Sequence, residues 1–589
     1  MTSETEHPAG HDQPRRRRKG RWLACGCALP VLVVLVLGAI GGWMLFTGLS
    51  AKTALSSAAS ALAGAQSAIL DGDVASAQIS VQEASQETAK AHRQTSDIVW
   101  QAVSAVPWLG SSPKAVMLSA EAADQVVSGA LPQFVGAAQT LDVTTIKAAD
   151  GSVDLARFAP AATQLAGAEQ SMLAARDTMA GVPTSGVPGF VSDGVGQLND
   201  KIDEALTASG VASKLLAVLP EMLGQSGTKS YFVAFQSPVE IRGTGGFLGT
   251  FGLMTVQDGK LVSKEVESNT LLKNFPAPVL DLGPEYSQLY GQDAAEWVNM
   301  NLSPNFPFAG AQWAQAWKVQ TGQQVAGVMG VDITALKYLI QATGPVTAPD
   351  GKVLTADNVI EYLGNDVYLE KENTDRKNYQ ADVATELIDR VLHLEGGTSA
   401  LIQALTASVS GGHLQLWSAD AAAQQAIAAT PLAGQTPSVA GPYAQLVLNN
   451  GGGNKLDYYV ARKVEYTGGQ CSSNGTRKSS VKITLTNTAP NEAIGLGGSK
   501  PGLVNRVITY THLPIGGGYT AARLNGNPIQ PSSGMELQHP VAVMSVDIPQ
   551  GASVVLEYDL QEPVSDAAPA VPVQPMVIPQ ETIVNWSGC

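Results

Sequence analysis

The stretch Tyr231 to Leu261, YFVAFQSPVEIRGTGGFLGTFGLMTVQDGKL, limits the possible folds more than any other part of the chain. Its first apolar run, Tyr231 to Phe235, has the continuous hydrophobicity of a strand covered on both faces. A second run, Phe251 to Val256, leads into Asp258-Gly259, a hairpin signal. Between them Gly243, Gly245, Gly246 and Gly249 fall within seven positions, where a backbone can come close to a ligand. Glu240 and Arg242 stand just ahead of this turn. An arginine beside a glycine-rich turn can hold an anion with its planar fork and the nearby N–H groups. The same two residues also read as a structural ion pair in a hairpin, and spacing does not choose between the readings.

At 589 residues the chain is too long for one core and implies about three domains. It is 44% hydrophobic and 15% charged, with 60 Gly and 33 Pro, which suits a folded chain with many turns. Residues 1–21 carry six Lys/Arg against Glu4, Glu6 and Asp12, a net +3, which leaves −18 for the remainder of a chain whose total is −15. A body this acidic repels nucleic acid, so nucleic acid is not an expected partner.

The 25 positions from Trp22 to Phe46 hold no charged residue, enough to cross a bilayer with some tilt. With RRRRKGR directly ahead, the expectation is an uncleaved single-pass anchor at the plasma membrane. The basic tail, 1–21, would lie in the cytoplasm and everything beyond about Thr47 outside it. Residues 47–225 are rich in Ala, Ser, Gln and Val at helical spacing, broken near Pro107, Pro132, Pro183 to Pro188 and Pro220, and predict a helical bundle or stalk. Residues 226–395 alternate strand-like and helix-like patterns. Val325 to Ile333 runs into a helix at Thr334, and an amphipathic helix spans Thr374 to Leu394, giving α/β composition. After a helical linker region, 396–439, short alternating strands over 440–565 predict an antiparallel β-sandwich. Residues 566–589 read as an extended tail. The expected fold is thus multidomain: transmembrane helix, all-α stalk, central α/β domain and C-terminal sandwich.

Of the four cysteines, Cys25 and Cys27 open the apolar segment, whereas Cys471 and Cys589 lie in the C-terminal region and can form one disulfide if that region is outside the cell. No CxxC pair and no HExxH occurs, which argues against zinc, and no GxSxG elbow or Walker A loop is present. The chemistry-bearing candidates gather in 226–395: Glu240, Arg242, Asp375, Arg376, Lys377 and Gln380. Asp375-Arg376-Lys377 opens a helix, where free N–H groups and the dipole favour anions. Arg376 equally reads as a solvated residue at a helix start.

PVEIRGTGGFLGTFGLMTVQDGKL resembles the signature of the bacterial membrane family called domain of unknown function 4012. Asn301 to Pro307, Gly327 to Asp332 and Thr343 to Val346 resemble that family's later motifs, and the likeness runs from about Thr228 to His393. The order of the same domain is similar to the LytR-CpsA-Psr family of envelope enzymes, which transfer glycopolymers from a polyprenyl-pyrophosphate carrier to the cell wall, usually with magnesium. That resemblance matches at Arg242, Arg376 and Gln380; with the anion-site reading of the residues, the expected catalytic set is Arg242, Arg376 and Asp375, and the expected substrate-binding set is Glu240, Gly245, Gly246 and Gln380. Asp375 or Glu240 would serve as magnesium ligand or proton acceptor. The chain departs from the pattern at Thr244, where an aspartate is expected, and at Tyr379, where a second arginine is expected.

The expected function is an envelope protein that transfers lipid-linked glycan to a wall acceptor, with Arg242 and Arg376 facing one cavity. The alternative is a non-catalytic envelope scaffold that binds glycan or protein.

Overall fold

The computed structural model describes residues 22–588 apart from 71–72, 108, 143–144, 149, 184, 393–397 and 498–501. The basic tail expected over 1–21 and the half-cystine expected at Cys589 lie outside the described residues. The chain divides into two compact units. One comprises the described parts of 1–66, 75–132 and 167–206; the other comprises those of 67–74, 133–166 and 207–589.

The helical region consists of α1 (Trp22–Leu70), α2 (Val74–Thr95), α3 (Ile98–Ser104), α4 (Ser111–Gln125), α5 (Leu131–Thr140), α6 (Phe158–Ala180) and α7 (Gly189–Met222). Its helices bury small side chains in steps of three and four. In α2 the buried line is Ala77, Val81, Ala84, Thr88, Ala91 and Thr95; in α6 it is Ala161, Leu165, Ala168, Met172, Ala175 and Met179. That is the heptad spacing of a helix–helix seam, and alanine at the seam lets axes approach closely. Within the first unit, Ala51 and Ala54 of α1 pack with Ala91 and Ala120.

The structure does not bear out the membrane-spanning helix expected over 22–46 or the anchored-stalk architecture built on it. Among the described residues no helix is long and apolar enough to cross a membrane. Nothing in the sequence breaks the helix at Phe46, so the apolar segment is the start of a 49-residue α1. Beyond Phe46 the helix carries a small-residue seam. Thr47 is buried and accepts from the Trp100 indole at 2.9 Å, and the Trp43 indole donates to Asp97 at 2.7 Å. What the chain forms is a mixture of helices and several sheets.

In the second unit, β1 (Lys229–Ser237), β2 (Phe247–Gln257), β3 (Lys260–Ser268), β4 (Gly327–Asp332) and β7 (Leu414–Ser418) form a sheet in the order β3-β2-β1-β4-β7. A separate small antiparallel hairpin, β5 (Val346–Thr347) and β6 (Val353–Leu354), lies between β4 and β7 in the chain. β1 and β4 are central and parallel, with Tyr231 opposite Gly327 and Gln236 opposite Asp332, and their neighbours are antiparallel. Alternate residues of β1 serve different cores. Phe232 and Ala234 pack with Trp297, Trp313 and Val328 on the side of α9 (Phe306–Thr321), which follows the short α8 (Pro284–Tyr290). Val233 packs with Leu336 of α10 (Ile333–Thr343) and with Val383 and Leu387 of α13 (Asn373–Leu392), which follows the short α11 (Val359–Glu361) and α12 (Val367–Glu370). Helices α14 (Thr398–Ser410) and α15 (Ala421–Ala428) flank β7.

Downstream, β8 (Gln445–Asn450), β11 (Asn505–His512), β14 (Ser532–Glu536) and β15 (His539–Ile548) make a four-stranded sheet. Six strands make the other: β9 (Val460–Cys471), β10 (Thr476–Asn487), β12 (Gly518–Leu524), β13 (Asn527–Pro528), β16 (Ser553–Pro563) and β17 (Glu581–Asn585). Both sheets contribute to one core, in which Leu448, Val464, Ile483, Val507, Ala542 and Leu556 meet. The alternation of buried and open residues along β9 and β10 is what a strand with one face in that core requires. β17 adds in parallel to the edge of β9, so the sandwich is not wholly antiparallel.

Candidate functional site

The parallel strands β1 and β4 end side by side at Ser237 and Asp332. In open α/β sheets the carboxyl ends of the strands are where ligands bind. Asp332 Oδ1 caps α10, accepting from Thr334 N at 2.8 Å and Ala335 N at 3.1 Å, while Oδ2 lies 2.7 Å from His413 Nδ1. Burial pulls the His413 imidazole down, but the Asp332 carboxylate outweighs it by charge and hydrogen bond and leaves it above the ordinary histidine value.

The glycine turn is stitched to this edge by neutral groups. Gln236 Oε1 accepts from Thr244 Oγ1 at 2.6 Å and from Asn301 Nδ2 at 2.8 Å, and the Asn301 amide also donates to Gly246 O at 2.8 Å. A Cβ on Gly243 would run into the Leu302 and Ser303 backbone, and one on Gly246 into the carbonyl of Ser237. These two glycines serve close backbone approach. Gly245, at φ +135°, faces Pro575 and the Asp332 carboxylate.

Arg242 is buried, 8% exposed. Its Nε donates to Asn299 Oδ1 at 2.9 Å and its Nη1 to Ile241 O at 2.9 Å, and Nη2 stands 3.9 Å from Glu240. Burial pulls its pKa down to about 10 against the neighbouring charges of Asp457, Glu296 and Asp293. Asp457 is itself buried and takes Ile241 N at 2.8 Å, with Asn450 and Asn505 on its remaining lone pairs. Burial holds the Asp457 carboxyl above the usual range.

Arg376, in the first turn of α13, lays its guanidinium over the Tyr368 ring at 4.3 Å, and the Tyr368 hydroxyl meets Ser237 Oγ at 2.9 Å. Lys455 approaches the same ring at 5.7 Å and is ion-paired with Glu240. The two arginines are therefore connected through Tyr368, Lys455 and Glu240, with those side chains between them. Gln380 donates to Leu363 O at 3.4 Å, and Asp375 is exposed on the first turn of α13.

A shallow cleft opens at this end of the sheet, bounded by Gln236, Ser237, Thr250, Asp332 and Gln380 over an apolar floor of Leu336 and Leu363. Its polar groups are mostly amides and hydroxyls, suited to a hydroxyl-rich ligand on an apolar base. A larger, more open hollow lies at the opposite end of the sheet between residues 145–155 and the β2–β3 turn, away from every candidate above.

The resident magnesium implied by the sequence resemblance does not fit these residues. Glu240 is committed to Lys455, Asp332 to a helix cap and His413, and among the described residues no three His, Cys, Asp or Glu side chains gather as metal ligands. Cys471 is disulfide-bonded. Sequence reasoning missed His413, Tyr368 and Lys455. Asp332 directly before a helix does carry the signal of an N-cap, but nothing in the local sequence around the other three distinguishes them.

No curated protein matches the chain. Residues 226–368, from just ahead of β1 to Tyr368, match the family model described as Protein of unknown function (DUF4012), and Arg376 and Gln380 fall beyond the matched stretch.

Proposed function

We propose that this is a non-catalytic protein of the cell envelope that binds glycan at the carboxyl end of β1 and β4. The observation that carries the reading is the commitment of Arg242. Its guanidinium is buried against Asn299 and the Ile241 carbonyl, so the two-arginine cradle of a pyrophosphate transferase lacks one arm. At the carboxyl end of β1 and β4 a cleft offers Ser237, Thr250 and Gln380, groups that pair with sugar hydroxyls. The disulfide at Cys471 supports a location outside the reducing cytoplasm.

The test is retention of purified wall glycan by the full chain. Ser237→Ala and Gln380→Ala should each weaken it about tenfold, the loss of one or two hydrogen bonds to a partly enclosed ligand. Unchanged retention in both variants would remove the cleft from the account.

A second reading, transfer from a polyprenyl-pyrophosphate carrier as in the LytR-CpsA-Psr family, is favoured by one observation: Arg376 stands beside the cleft, stacked on the tyrosine that touches Ser237. It requires that Arg376→Ala abolish binding of the lipid pyrophosphate while leaving neutral glycan bound.

A further inference from the structure

We propose that residues 570–587 form a releasable strap over the carboxyl end of the central sheet, whose opening admits ligand to Gly245, Asp332 and His413. The inference rests on the reading of that end as the binding end.

The strap crosses between the two sheets of the sandwich. Ala570 and Val573 bridge to Tyr443 and Leu446 beside one sheet, and Glu581 to Asn585 pair with Lys463 to Thr467 on the edge of the other. Between these anchors Gln574 turns inward. Its Nε2 donates to Arg242 O at 2.8 Å and Leu448 O at 2.8 Å, and its Oε1 accepts from Leu448 N at 2.9 Å. The next residue, Pro575, packs where a Gly245 Cβ would stand, 3.4 Å from that point; the Asp332 carboxylate is 3.8 Å from it on another side. Pro575 also lies 3.5 Å from where a Cβ on Gly412, the neighbour of His413, would stand. A pyrrolidine ring thus occupies the end of the sheet that a ligand would otherwise reach.

The closed strap has a built-in penalty. Arg462 projects from β9 between Val460 and Val464 into the sandwich and is 3% exposed. Its Nη2 donates to two strap carbonyls, Gln574 O at 3.1 Å and Ile578 O at 3.4 Å, while Nε and Nη1 are buried with no partner among the described residues. Among the described residues no acidic group opposes its burial, which pulls the guanidinium down to about 9. A buried cation without a counter-charge destabilises the state that encloses it. Lifting the strap returns Arg462 to water, so the strap opens more readily than the strands beneath it. Met576 in the sandwich core, the Gln574 bonds and the β17 ladder oppose this and keep it shut at rest.

The experiment is native-state hydrogen exchange on the full chain, read by peptide mass, with carbethoxylation of His413 read in the same samples. Amides of 570–585 should exchange at least about tenfold faster than those of β10 and β16, as a unit that opens below global unfolding. Gln574→Ala should speed strap exchange about tenfold further by removing its three hydrogen bonds. Arg462→Met, which keeps the reach and removes the charge, should slow it by a similar factor. His413 labelling should rise in the first variant and fall in the second, in step with the strap. Protection of β10 reports that each variant is folded.

Strap amides as slow as β10, faster exchange in Arg462→Met, or His413 labelling that ignores the strap would each overturn the proposal. Loss of glycan binding with all of these rates as expected would instead count against the binding reading alone.

Discussion

Arg242 Nε donates to Asn299 Oδ1 at 2.9 Å, tying the glycine turn after β1 to the segment that leads into α9. With Nη1 on the Ile241 carbonyl and the buried Asp457 close by, the side chain acts as an internal clamp. Arg242→Ala leaves the Asn299 Oδ1 acceptor without its donor and removes the positive charge near the buried Asp457, so it should lower unfolding free energy by about 2–4 kcal/mol. Arg376 stacks on Tyr368 at a partly open site, so Arg376→Ala should cost less than about 1 kcal/mol. Urea unfolding of the two variants separates them, and equal small losses would mean that Arg242 is not a structural residue.

The second prediction concerns His413 and Asp332. His413 is raised in the folded chain, so its stabilising contribution is fully present below the ordinary value of 6.5 and is lost as pH rises through the folded value. Asp332→Asn keeps a good helix cap but removes the charge facing the imidazole. The stability difference between wild type and this variant should shrink as pH is raised from about 5 to about 9. A difference that grows with pH would show that the pair is misassigned.

The glycines give a third. Gly243→Ala and Gly246→Ala each push a Cβ into backbone carbonyls, at Leu302 and Ser303 for one and at Ser237 for the other, where no flexible side chain can give way. Each should destabilise by about 1–3 kcal/mol, the usual range for overpacking. Thermal melts of the variants check this, and Gly249, where an added Cβ would meet nothing closer than 3.8 Å, should tolerate alanine in them.

A fourth follows from the disulfide. Asn585 pairs with Thr467 in the parallel β17–β9 ladder, and in the sequence three residues then remain on each side before Cys589 and Cys471. That register argues for these two as partners, as their positions in the sequence also suggested. Non-reducing peptide mapping should recover a 471–589 cross-link, and reduction should lower stability by about 2–4 kcal/mol. A cross-link from Cys471 to Cys25 or Cys27 would contradict the register.

Much of this architecture was legible in the sequence wherever one face of an element is buried and the other is not. Val460, Val464 and Tyr466 alternate with open residues along β9, and Asp332 ahead of Ile333 signals the strand-to-helix switch that caps α10. The amphipathic pattern of Val383 and Leu387 likewise marks α13, with Asp375 and Arg376 in its first turn. Other features depend on distant partners. Arg242 has the composition of a surface or ligand-binding residue, and only the Asn299 and Asp457 side chains, far along the chain, make it internal. The proline-rich tail carries no strand period, yet β9 offers it an open edge and Arg462 holds its carbonyls. The apolar run 22–46 has the composition of a separate span, but hydrophobicity alone does not say where a helix stops, and α1 continues past it to Leu70.

The most direct test of the account supplies the full chain with a polyprenyl-pyrophosphate-linked glycan and a wall acceptor, and measures bound and covalently transferred glycan together. The account predicts saturable binding that Ser237→Ala weakens, with no covalent product. A covalent product that disappears in a folded Arg242→Ala variant would contradict it, because Arg242 would then be working on substrate instead of holding Asn299.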